Sequence, residues 1–232
     1  MRVFIDPRSL IAFIVLFAIA TLTGAQETSH PNTEILTAQQ AIAELEQGNR
    51  RCVDGKSAHG HDAGRWRERF LVKQKPFAIV LGCSDSRVAP ELLFDQGFGD
   101  LFVIRVAGNI VDDDVVGSIQ YAVEHLDNKL IVVLGHQNCG AVTAALSSPD
   151  QARSEPQELS RLLDRIRLAI ALVDREHEST QRLAEAVEAN ARASVKQLRN
   201  VPSIAKAIKE KGVEVVGAVY HIDSGKTTFL NE

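Results

Sequence analysis

PFAIVLG, residues 76–82, is an unbroken apolar run that ends on glycine and passes straight into Cys83-Ser84-Asp85-Ser86-Arg87. A short run without polar alternation predicts a strand covered on both faces, the usual state of a strand in a parallel sheet. Similar runs follow at 101–106 (LFVIRV), 130–135 (LIVVLG) and 213–220 (VEVVGAVY). The last leads through Asp223-Ser224-Gly225-Lys226 towards 227–230, a hairpin signal. Helical patterns fill the gaps: 37–51 with Thr37 as its cap, then 114–126 and 140–146. A long section from 155 to 211, rich in Ala, Glu, Leu, Arg and Lys, breaks near 177–180 and at Pro202. It reads as solvated surface or a subunit contact, its charges pointing to a solvated face. Strands alternating with helices predict an α/β fold with a central, mostly parallel β-sheet flanked by helices.

The 232 residues are 45% hydrophobic and 24% charged, a composition that excludes a collagen-like or largely disordered chain. With 26 Lys and Arg against 30 acids, the net charge of −4 leaves no basic excess for phosphates, so no nucleic acid is expected as a partner. The first 25 residues differ from the rest. Arg2 and Arg8 precede an apolar run at 10–22, and Thr23-Gly24-Ala25 offers a small-residue cleavage site. That order predicts a signal peptide over 1–25, and the apolar run is shorter than the ~20 residues a membrane span needs. The expectation is a periplasmic or secreted protein, with membrane attachment only through an uncleaved leader. Residues 26–232 then form a single domain with an N-terminal helical arm.

Export sharpens the meaning of the three cysteines, Cys52, Cys83 and Cys139, because an oxidising compartment favours thiols that are paired, hidden or metal-bound. Two predicted strands end in chemistry-bearing residues: Cys83-Ser84-Asp85-Ser86-Arg87, and His136-Gln137-Asn138-Cys139-Gly140. Ligands of open parallel sheets sit outside the carboxyl ends of the strands. If the two strands are neighbours, Cys83, His136 and Cys139 converge on one metal ion. Two thiolates and an imidazole suit zinc, and three protein ligands leave the open position of a catalytic site. Cys52 reads as a small buried hydrophobe at a helix end, with a closing fourth ligand as the alternative. Arg87 can hold Asp85 in a bidentate pair, or Asp85 can swing to the zinc and close it.

At these residues the chain resembles the β-class carbonic anhydrases, through GCSDSRV at 82–88, FVIRVAGN at 102–109 and GHQNCGAV at 135–142. The resemblance runs over roughly residues 33–230. It implies one Zn2+ per chain, reversible hydration of carbon dioxide to bicarbonate, and homodimers that can pair into homotetramers. It further implies that Cys83, His136 and Cys139 are ligands, and that Asp85 is an exchangeable fourth ligand forming a catalytic dyad with Arg87. If Asp85 competes with water for the ion, activity falls at mildly acidic pH. Some bacterial members carry a bicarbonate regulatory site of Trp, Arg and Tyr. Here Arg105 and Tyr220 match, but Val80 stands at the Trp position and argues against that site.

Other chemistries share these residues. The same scaffold can hydrolyse carbon disulfide or carbonyl sulfide; the zinc can be non-catalytic, permanently closed by Asp85; or Cys83 can act as a nucleophile with His136, resolved by Cys139. Among the histidines, His59 and His61 read as loop residues, His125 as a helix-end cation and His221 as a minor candidate for proton relay. Gly108 reads as packing, and backbone N–H groups near Gly140 are candidates to hold bicarbonate.

Overall fold

The computed structural model describes residues 35–58, 73–147, 155–174 and 176–231. The leader, His30 and the His59–His61 segment lie outside the described residues. Helix α1 (Ala38–Val53) begins where Thr37 and Gln40 cap each other: Thr37 Oγ1 accepts the Gln40 N–H at 3.2 Å, and Gln40 Oε1 accepts the Thr37 N–H at 2.8 Å. Then come β1 (Ala78–Gly82), a short α2 (Pro90–Leu93), β2 (Leu101–Arg105), a turn of 3-10 helix at Ala107–Asn109, α3 (Asp113–His125) and β3 (Leu130–His136). The chain continues through α4 (Gly140–Leu146), α5 (Gln157–Ala169), α6 (Ser179–Arg199), α7 (Pro202–Lys211), β4 (Glu214–Tyr220) and β5 (Thr227–Phe229).

The sheet order is β2-β1-β3-β4-β5, parallel throughout except for the β4–β5 hairpin. β1 and β3 are buried along their whole length, which explains their uninterrupted apolar sequence. Their side chains alternate between two layers. Val80, Leu130, Val132 and Leu134 pack with Phe94, Leu163 and Ile166, while Ile79, Leu81, Ile131 and Val133 pack with Ile119, Leu198 and Ile204. Fully burying one such side chain contributes about 1.5–3 kcal/mol.

The polar section 155–211 is not simply a solvated surface. α6 buries Val187, Asn190, Ala191, Ser194 and Leu198 along one side. That stripe packs on the sheet, and only the opposite side is charged. α2 carried no periodic signal because four residues are one turn.

α1 is fixed at two consecutive residues. At Gly48 it comes so near the chain that a Cβ would fall 1.8 Å from the Phe94 carbonyl oxygen. Beside it, buried Asn49 donates from Nδ2 to the carbonyls of Leu93 (3.0 Å) and Gly225 (2.9 Å), and its Oδ1 accepts the Thr227 N–H at 2.8 Å. Asn49→Ala therefore strands buried backbone groups, each costing about 1–3 kcal/mol. The expected result is a lower urea midpoint with unchanged m-value, read by circular dichroism.

Candidate metal centre

The sheet order makes β1 and β3 neighbours, with Gly82 opposite Leu134. Their carboxyl ends therefore release Cys83 and His136 side by side. Asn138 adopts a left-handed conformation (φ 55°), tolerable for Asn, and this turns the chain back so that Cys139 joins His136. Gln137 braces the turn through Asp223, donating to its carboxylate at 3.0 Å and accepting its N–H at 3.1 Å. The ligand atoms of Cys83, His136 and Cys139 all lie within 4.8 Å of one another, and all three residues are buried. A single tetrahedral ion with Zn–S near 2.3 Å and Zn–N near 2.0 Å spans such a set.

The imidazole is already oriented for a metal. His136 Nδ1 lies 3.0 Å from the Gln137 carbonyl, a contact that puts the proton on Nδ1. Nε2 is then a bare lone pair in a residue with no exposure, and it has no hydrogen-bond partner. A buried acceptor beside two sulfurs fits a soft divalent cation.

The two thiols are unlike. Hydrogen bonding from the Cys139 thiol holds Cys83 well below the usual thiol range, against burial, with the N–H groups of Gly108 and Asp85 adding to the effect. Cys139 moves up, because the Cys83 thiolate shares its proton and burial adds to the cost of ionising. The N–H groups of Val142 and Ala141, in the first turn of α4, favour the Cys139 thiolate.

Asp85 stands beside the cluster, its Oδ2 4.0 Å from His136 Nε2. Arg87 grips both carboxylate oxygens, Nε to Oδ1 at 2.9 Å and Nη2 to Oδ2 at 2.8 Å, and its own N–H reaches Oδ1 at 3.0 Å. The guanidinium holds the Asp85 carboxyl far below the usual carboxylate range, against partial burial. Arg87 also donates to the Asn138 carbonyl at 3.3 Å, stitching the two motif loops together.

Cys52 departs from its expected core position. It is half-buried at the end of α1, where burial and the neighbouring Asp95 push its thiol up, and it is not in the ligand group. Val80 is fully buried in the core, and Arg105 is committed elsewhere, donating to the carbonyls of Cys83 at 2.9 Å and Asp85 at 2.5 Å. His125 ends α3 against the Tyr121 ring, and His221 Nε2 lies 3.3 Å from Thr228 Oγ1.

Gly108 does more than pack. Its N–H points at Cys83 Sγ, 3.3 Å away, from a left-handed conformation (φ 68°) in which a Cβ would meet Ile166 Cδ1 at 2.6 Å. No residue-type signal announces a backbone donor, although glycine in VAGN marks where the backbone can approach closely. Arg105, which clamps the backbone of the Cys83–Asp85 turn, could have been suspected as a charge ending an apolar strand.

A family model described as carbonic anhydrase matches residues 78–227. Over 196 residues the chain is 39% identical to a carbonic anhydrase of Mycolicibacterium smegmatis and 37% identical to carbonic anhydrase 2 of Mycobacterium tuberculosis. In each case 84% of this chain and 93% of the relative are covered. Among solved structures it is similar to a tetrameric β-carbonic anhydrase of Sordaria macrospora (TM-score 0.67, 29% identity, 83% of this chain and 98% of that one). It is also similar to the Coccomyxa β-carbonic anhydrase in complex with acetazolamide (TM-score 0.68, 27% identity, 82% and 86%). Sheet order, paired strand-end motifs and these likenesses agree: the chain belongs to the β-class carbonic anhydrases, enzymes of reversible carbon dioxide hydration.

Proposed function

We propose that Cys83, His136 and Cys139 hold one zinc ion per chain and that Asp85, braced by Arg87, is the catalytic residue of carbon dioxide hydration. The observation carrying this reading is the buried, unpartnered His136 Nε2 set beside two cysteine sulfurs. When bound, zinc supplies the Lewis acidity that makes water a nucleophile near neutral pH. Asp85, oriented by Arg87, would accept a hydrogen bond from such a water and direct its lone pair at the carbon of carbon dioxide. Released from Arg87, the same carboxylate would be placed to serve as an exchangeable fourth ligand, a role its 4.0 Å approach to His136 Nε2 supports.

The test is stopped-flow carbon dioxide hydration on protein lacking residues 1–25, with zinc quantified on the same sample. The expected result is turnover at one zinc per chain, with both lost in Cys83→Ser. Full zinc without turnover at alkaline pH would overturn the assignment.

Two further readings belong to the same proposal. The basic, apolar and small-residue order of 1–25 supports a cleaved leader and a periplasmic or secreted enzyme. Among the described residues no helix is long and apolar enough to cross a membrane. N-terminal sequencing of the exported protein is expected to begin at Gln26. The tetrameric Sordaria macrospora relatives support a homodimer or homotetramer, to be read as mass by light scattering.

A further inference from the structure

Asn190 lies in the middle of α6 and is 2% exposed, in a stripe where an apolar side chain would pack without penalty. A buried amide there destabilises unless it is hydrogen-bonded. Its Nδ2 donates to the Gly108 carbonyl at 2.7 Å. One turn on, Ser194 Oγ donates to the Asn109 carbonyl at 3.1 Å, and Gln197 and Arg165 both donate to the Val111 carbonyl, at 3.2 and 2.9 Å. Residues 108–111 are thus held by side chains from two helices. Of these tethers, that of Asn190 falls on the residue whose N–H meets Cys83 Sγ. Glycine is the residue freest to change its dihedrals, so its left-handed turn stays in place only through its partners.

We propose that Asn190 is a positioning residue of the metal centre. By fixing the Gly108 carbonyl it keeps the Gly108 N–H on Cys83 Sγ and so sets how much electron density that thiolate gives the ion. The inference rests on Cys83 being a metal ligand. An N–H···S bond stabilises the sulfur lone pairs. Losing it raises their energy and brings sulfur-to-metal charge transfer to longer wavelength.

The experiment uses Co2+ in place of zinc, in the wild type, Asn190→Leu and Asn190→Ser. Leu198→Ala, on the same helix but in the other core layer, controls for a general loss of stability. The readouts are the near-ultraviolet sulfur-to-cobalt band and cobalt affinity by chelator competition. In both Asn190 variants the band moves to longer wavelength and affinity falls about tenfold to a hundredfold, the usual range for a partner behind a metal ligand. Leu198→Ala leaves both unchanged. Asn190 variants with the wild-type band and affinity, or a matching shift in Leu198→Ala, overturn the proposal. A wild type that takes up no cobalt overturns the ligand assignment itself. Should neither Asn190 variant fold, wild-type protein labelled with 15N and loaded with 113Cd2+ is decisive. A through-bond coupling between cadmium and the Gly108 amide is expected, and its absence overturns the proposal.

Discussion

Asp85→Asn is expected to lower carbon dioxide hydration by about 10²- to 10⁴-fold while zinc stays near one per chain. The substitution conserves shape but turns one acceptor oxygen into an NH2 donor. That donor faces either Nε or Nη2 of Arg87, each itself a donor, so the two-pronged grip cannot survive. The side chain also loses the charge with which it orients water. Stopped-flow turnover and metal analysis on the same sample check this. Zinc lost together with activity would make Asp85 a structural ligand. Arg87→Gln separates orientation from ionisation. Without the guanidinium the carboxyl returns towards its ordinary value of ~3.9, still well below neutrality. Asp85 therefore stays ionised across the working range, and turnover falls with no displacement of the neutral limb of its pH profile. The stabilisation from the pair is fully present above the ordinary carboxylate value and disappears as pH falls towards the depressed one. Acid unfolding of Arg87→Gln should accordingly begin at higher pH.

Gly48→Ala is expected to destabilise the fold by more than about 3 kcal/mol, the upper end of the usual overpacking range. Replacing a helical glycine by alanine ordinarily stabilises by roughly 1 kcal/mol. Here the sign reverses, because the added methyl would meet the backbone carbonyl of Phe94 at 1.8 Å rather than a side chain able to turn aside. Helix α1 must then lift from α2, and the neighbouring Asn49 loses its bonds to Leu93 and Gly225. Urea unfolding is the measurement, and a variant as stable as the parent would show that α1 is not seated there.

The contrast between β1 and α6 shows what the amino-acid order reveals. β1 and β3 were legible because a strand covered on both faces must be apolar at every position. The grouping of Cys83, His136 and Cys139 was legible because Cys and His are rare enough at strand ends to carry meaning. α6 misled because its buried stripe is built largely from Ala, Asn and Ser, which look solvated when counted as polar or small. The Gly108 donor was hidden for a different reason, since every residue except proline owns a backbone N–H. Only the fold decides which amide meets a sulfur. Asn190 is hidden likewise, because it acts on a carbonyl rather than on a side chain.

The bonds from Asn49 to Gly225 and Thr227 join parts of the chain that leave the ribosome at opposite ends of synthesis. While the polypeptide is being made, α1 can bond to Leu93 early, but the Gly225 and Thr227 part of its fastening waits for the β4–β5 hairpin to emerge. Domains whose early segments are self-sufficient can consolidate from the N-terminus during translation. Here the fastening of α1 is completed only by one of the last segments made. A chain stopped short of the hairpin would therefore keep only the Leu93 share of that seat.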